Sequence, residues 1–132
     1  MKLALVFLLV LVAGCTHAPV PGDAPFPAVT GHVFYRERVA LDPRARVELE
    51  LADVSLADAP SKTIANQNID ATGKNVPIAF DLRYDPAAID PRHSYVVRAK
   101  ITLDGAMIWR ADGVPVLTRG AGHTAEILLV RP

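Results

Sequence analysis

Residues 89–110 read IDPRHSYVVRAKITLDGAMIWR, and their apolar positions recur every second residue. Tyr95, Val97, Ala99, Ile101 and Leu103 fall on one side of an extended chain, with Arg98 and Lys100 on the other. That is the signature of a strand with one face in a core and one in water. Asp104-Gly105 then supplies the residue types that a tight two-residue hairpin demands, and Ala106 to Arg110 is the expected return strand. Just upstream, Ile89, Pro91 and Tyr95 have the spacing of a tyrosine corner, in which a buried ring sends its hydroxyl back to the backbone a few residues earlier. Burying the ring is favourable, but an unpartnered hydroxyl costs a few kcal/mol, so the turn from Ile89 to Pro91 is expected to offer a carbonyl. The competing reading makes Tyr95 simply the first apolar residue of its strand.

Outward from this stretch the period of two persists. A first strand is expected from Val29 to about Val39, with Val29, Gly31, Val33 and Tyr35 on one face. A second places Val47, Leu49 and Leu51 against Arg46, Glu48 and Glu50. A third, Lys62 to Asp70, has only Ile64, Ala65 and Ile69 to bury around Asn66, Gln67 and Asn68, which suits a sheet edge. Ile78, Phe80, Leu82 and Tyr84 form a fourth. Val114 to Leu117 carries Pro115, which cannot donate to a ladder and belongs at an edge. Thr124 to Val130 reads as a last strand buried on both faces. Seven to eight short strands without an amphipathic helix predict an all-β fold, an antiparallel β-sandwich of immunoglobulin or fibronectin type III kind, over residues 28–132.

The N-terminus has a different grammar. Lys2 is a positive start, Leu3 to Val12 an apolar run, and Val12-Ala13-Gly14-Cys15 a lipobox. A spanning helix needs about 20 apolar residues, and this run stops short of that at Cys15. An ordinary secretory signal is the competing reading, but the chain's single cysteine sits where lipidation requires a thiol. The expectation is a signal peptide over residues 1–14, cleavage between Gly14 and Cys15, and a lipidated Cys15 whose acyl chains enter a bilayer. Residues 15–27 follow as a Pro-rich tether. Thr16 is not the Asp that would retain a lipoprotein at the inner membrane, so the expected address is the outer membrane, facing the periplasm.

Fourteen basic and fourteen acidic residues are interspersed, leaving no basic patch for nucleic acid. With the one cysteine used as an anchor, no disulfide remains and packing must carry stability. Ser55, Ser61, Ser94 and Thr72 lie outside any nucleophile motif, and adjacent His93 and Ser94 would point to opposite faces of a strand. His17, His32, His93 and His123 show no metal-ligand spacing, and no metal or cofactor is expected. Asp85-Pro86 and Asp90-Pro91 read as turn pairs, with Asp81 nearby. Arg36 and Arg38 are expected to share a strand face and pair with Glu48 or Glu50. Trp109 is expected in the core. The chain reads as non-catalytic.

The runs GHVFYRERVALDP (31–43), LADVSLADAP (51–60) and VPIAFDLRYDPAAIDPRHSYVVRAKI (76–101) together resemble the YbaY/YscW family of bacterial envelope lipoproteins. The resemblance extends from about Thr30 to Val130, and Cys15 matches the family's lipidated cysteine. It implies a β-sandwich lipoprotein on the periplasmic side of the outer membrane, and the leading functional reading is a non-catalytic protein-binding or chaperone module. One branch of the family consists of pilotins, chaperones that escort a secretin subunit. A passive structural or stress-related envelope lipoprotein without a dedicated client is the alternative. The candidate docking edges are the third strand and the Pro115 strand.

Overall fold

Alternating apolar residues build seven strands in the computed structural model, which describes residues 25–132. They are β1 (Ala28–Phe34), β2 (Arg46–Asp53), β3 (Lys62–Asp70), β4 (Ile78–Arg83), β5 (Tyr95–Leu103), β6 (Ala106–Val116) and β7 (Thr124–Leu128). A short 3-10 turn, Pro86–Ala88, lies between β4 and β5. Gly14, Cys15 and nearly all of the tether lie outside the described residues.

The strands form two sheets, ordered β4-β1-β7 and β3-β2-β5-β6. Val29, Val33, Phe80, Leu82 and Ile127 from the first sheet meet Val47, Leu49, Leu51, Tyr95, Val97 and Ile101 from the second, all at most 4 % exposed. No charged or polar side chain is buried among the described residues, so this core is held by apolar packing. All strand pairs are antiparallel except β1 with β7, which run parallel from Thr30↔Thr124 to Phe34↔Leu128. A parallel pair needs a long crossover; here everything between the first and last strands serves as one. The sandwich is therefore antiparallel-rich, with this one parallel seam.

Local outcomes depart from the expected strands where side chains find better partners. The first strand ends at Phe34, not near Val39. Beyond it the Tyr35 ring stacks on Trp109 with centroids 4.2 Å apart, and its hydroxyl donates to the Val39 carbonyl at 2.8 Å, curling the chain away from the sheet. Val39 is left about half exposed. Arg36 and Arg38 thus sit outside any strand and do not meet Glu48 or Glu50. Lys100 pairs with Glu48 at 3.0 Å, Arg98 lies 4.0 Å from Glu50, and Glu37 is held by Arg131 at 3.0 Å. The two strands expected over 106–117 are one, β6, which takes up Gly113 in the first of two register shifts against β5, the second falling at Ile108, while Pro115 pairs in register with Val96. Nor is the last strand buried on both faces: Ala125 and Ile127 point inward, whereas Glu126 is exposed and Val130 half exposed. Trp109 is 3 % exposed in the core.

Tyr95 is 2 % exposed, and its hydroxyl is bonded to the backbone five residues upstream. The polarity is the reverse of that expected: the Asp90 amide donates to the hydroxyl at 2.8 Å. Pro91 has no N–H and the Ile89 amide is engaged by the Pro86 carbonyl, so the Asp90 N–H is the group in this turn that needs an acceptor. Tyr95→Phe is expected to strand that amide and to lower the unfolding free energy by about 1–2 kcal/mol. Urea denaturation of the two forms, with unchanged m-value, checks this.

Candidate functional site

The outer face of the four-stranded sheet forms a shallow trough of about 520 Å³. Because alternate residues share a face, β3 contributes Asn66 and Asn68, β2 contributes Glu48 and Glu50, and β5 contributes Arg98 and Lys100, while the register shift opposite Leu51/Ala52 brings Thr63 of β3 onto the same face. Arg110, Asp112 and the half-exposed Met107 of β6 close the far side. The stripes therefore run amide, acid, base across the sheet. Cross-strand pairs join acid to base at Glu48–Lys100, and Thr63 and Thr102 hydroxyls donate to Glu50 and Glu48. Such half-exposed pairs add little stability. They leave a broad polar surface suited to a macromolecule more than to an enclosed small ligand.

The two flanks of the sandwich differ. On one, the Arg110 amide donates to the Val130 carbonyl at 2.9 Å and the Val130 amide donates back at 2.8 Å, tying β6 to the chain after β7. Arg131 lies 4.0 Å over the Trp109 ring and reinforces this seam. On the other flank β3 and β4 are both sheet edges. A hydrogen bond between them runs from the Asp81 amide to the Gln67 side-chain oxygen, at 3.2 Å.

At one pole the structure gathers Ile89, Pro91 and Tyr95 with residues the sequence did not connect. His93 Nδ1 lies 2.7 Å from an Asp53 oxygen, forty residues away in the chain. The Ser55 hydroxyl donates to the other Asp53 oxygen, the Ser94 amide to Ser55 Oγ, the Thr118 hydroxyl to the His93 carbonyl, and Arg119 to Ser94 Oγ. Asp-x-Ser at 53–55 is a local turn signal, but nothing local reports a partner forty residues on. The His–Asp pair superficially suggests catalysis. Yet Ser55 bonds the carboxylate, not the imidazole, and Ser94 Oγ is taken by Arg119, so no hydroxyl is aligned with the ring as a nucleophile. The arrangement fastens three loops together.

The remaining histidines and aspartates are dispersed. His32 meets Glu126 at 3.0 Å on the outer face of the other sheet. Asp81 pairs with Arg83 along β4, Asp85 accepts from the Ala87 amide, and Asp90 is bracketed by the Arg92 amide and guanidinium. Among the described residues no group of three or more His, Cys, Asp or Glu is placed to hold a metal ion.

These contacts set the acid response. Hydrogen bonds from the Arg92 side chain and amide hold the Asp90 carboxyl far below its ordinary value. Burial alone would raise Asp53, but the Ser55 hydroxyl and amide and His93 outweigh it and leave that carboxyl lowered too. A carboxyl depressed on folding contributes stability above its unfolded pKa and loses it as pH falls through the folded value. Denaturation midpoints are therefore expected to be insensitive to these two groups at neutral pH. They should drop below about pH 4, near the unfolded carboxylate range. Asp90→Asn is expected to flatten that acid limb, as read from melts between pH 2 and pH 7.

Residues 24–129 match the family described as "Type III secretion system lipoprotein chaperone (YscW)". The chain belongs to this family. Among curated proteins, the "Uncharacterized lipoprotein YbaY" of Escherichia coli (strain K12) is 39 % identical over 105 residues, covering 79 % of this chain and 55 % of that one. The chain thus spans about half the length of this curated relative. A solved structure, "Structure of an alternative pilotin from the type II secretion system of Vibrio cholerae", is similar with a TM-score of 0.77 at 41 % identity, covering 80 % of this chain and 96 % of that one.

Proposed function

We propose that the protein is an outer-membrane lipoprotein that acts as a non-catalytic, pilotin-like chaperone for another envelope protein. The observation that carries this reading is the likeness, over 96 % of its length, to a chain described as a secretion-system pilotin. In this reading residues 1–14 are removed as a signal peptide and Cys15 is lipidated. Residues 15–27 are the tether, and residues 28–132 are the binding body facing the periplasm. The client class is a secretin subunit, a large envelope protein suited to an open sheet surface rather than to a deep pocket. Ile89, Pro91 and Tyr95 are structural in this scheme, setting the turn that carries the loop-fastening pole.

The test is crosslinking in intact host cells followed by membrane purification and mass spectrometry. A secretin subunit enriched with the protein, and mislocalised when the protein is deleted, is the expected result. Normal secretin assembly in the deletion strain with altered envelope sensitivity would instead support a passive envelope lipoprotein without a client.

A further inference from the structure

We infer that the docking edge for a protein partner is the stretch Ala65–Asp70 of β3, which accepts an extended segment bearing apolar residues on one face and lysine or arginine on the other. This inference rests on the protein-binding reading above and names the surface and the chemistry of its partner.

The two outer strands of the larger sheet are not equivalent. Natural sheets protect edges with proline, bulges, lysines or a covering chain. β6 is protected several times over. Pro115 lacks an N–H, two register shifts interrupt the ladder, and Arg110 spends its amide and carbonyl on Val130. β3 is protected at its start, where Lys62 stands and the register shifts opposite Leu51/Ala52. From Ala65 to Asp70 the pairing with β2 is regular, without proline or lysine. Six residues of extended edge span about 20 Å, enough for several backbone hydrogen bonds to an added strand.

The side chains along this edge define what would be added. On the inward side Ile64, Ala65 and Ile69 are partly buried against the core, and between them the Gln67 side chain accepts from the Asp81 amide of β4, so apolar residues of the incoming segment on either side of Gln67 would finish covering them. On the outward side Asn66 and Asn68 are short and lie directly opposite Glu50 and Glu48, carboxylates that share Arg98 and Lys100 one strand further in and so stand nearer this edge than the bases that pair them. A long cationic side chain on the added strand can reach across these amides to that acidic row, one strand in. An acidic side chain there would meet like charge. The occupant is therefore a cationic, alternating segment of another polypeptide.

The probe is a fluorescein-labelled peptide, Lys-Val-Lys-Val-Lys-Val-Lys, titrated against the tether-plus-sandwich protein by anisotropy. Glu-Val-Glu-Val-Glu-Val-Glu and a lysine peptide N-methylated at alternate amides are compared. The lysine peptide is expected to bind at least tenfold more tightly than the other two, because N-methylation removes the ladder donors. Asn66→Lys combined with Asn68→Lys, both at exposed positions, is expected to weaken binding at least tenfold with the melting curve unchanged. Asp112→Lys on the β6 side is expected to change it less than twofold. Equal binding of all three peptides, loss of less than twofold in the double variant, or a β3-paired dimer seen by sedimentation in its place would overturn the inference. The same double variant in the cellular crosslinking experiment separates the two levels. A secretin captured by both wild type and variant leaves the chaperone reading intact and removes this edge, whereas capture by neither removes the chaperone reading.

Discussion

Gly31→Ala is expected to destabilise the domain more than any other single-methyl change, by about 3 kcal/mol or more. Gly31 pairs with Ala125 across the parallel β1–β7 seam, and a Cβ at residue 31 would stand 1.8 Å from the Ala125 carbonyl oxygen and 2.7 Å from its carbon. Both are backbone atoms, so no rotamer change relieves the overlap; β7 must move as a unit. β7 carries Ile127 into the core and leads into Leu129, whose amide donates to the Phe34 carbonyl at 2.7 Å. Displacing it costs packing as well as hydrogen bonds. For a domain of this size the midpoint of thermal unfolding should fall by about 15 °C. Gly73→Ala is the control: Gly73 has a φ of +69°, but a methyl added there would find nothing within 4 Å. Only the backbone preference is lost there, about 1 kcal/mol. Calorimetry of the two variants checks both numbers, and similar melting temperatures would show that the β1–β7 contact is slack.

Cys15→Ala, with residues 1–14 exchanged for a secretory signal that is cleaved without lipidation, is expected to move the protein entirely from the membrane to the soluble fraction. Each buried CH₂ of an acyl chain contributes about 0.8 kcal/mol, so several chains hold a body of this size on a bilayer without help, and their loss leaves nothing comparable. Among the described residues no helix is long and apolar enough to cross a membrane. The folded part offers Phe26, Val39, Leu56, Met107 and Val130 as large exposed apolar residues, side chains far smaller than an acyl chain. Intact-mass measurement and carbonate extraction of both forms check the prediction. A wild-type protein with an unmodified residue 15, or an alanine variant still in the membrane pellet, would remove the anchor from the proposed function. The melting temperature of residues 28–132 is expected to be the same in both.

Much of this architecture was legible because its strands are half buried. β2, β4 and β5 alternate cleanly, since each has one face in the core and one in solvent. The edge status of β3 was legible from its run of amides and that of the Pro115 segment from its missing N–H. What escaped the sequence depends on partners distant in the chain. Alternation continues from Phe34 into Tyr35, but the stack on Trp109, seventy-odd positions later, ends the strand. The charges of Arg36, Glu37 and Arg38 gave no hint that Arg131 would claim the middle one. Val130 looked like an apolar strand residue because its backbone role, closing the seam with Arg110, leaves no trace in its side chain. At the candidate site, the docking edge could be narrowed to two strands from composition. Choosing between them required the bridge that occupies one.

The parallel course of β1 and β7 also decides which way the body faces. Two neighbouring strands that run the same way start at one pole and finish at the other, so the point where the tether joins β1 and the point where the chain leaves β7 are separated by the height of the sandwich. If the bilayer holds the first, a fluorophore or fusion partner attached after Pro132 would ride on the far side, pointing into the aqueous compartment. The Trp109–Arg131 stack lies close to that distal exit, and its indole would serve as a built-in gauge of events occurring away from the lipid.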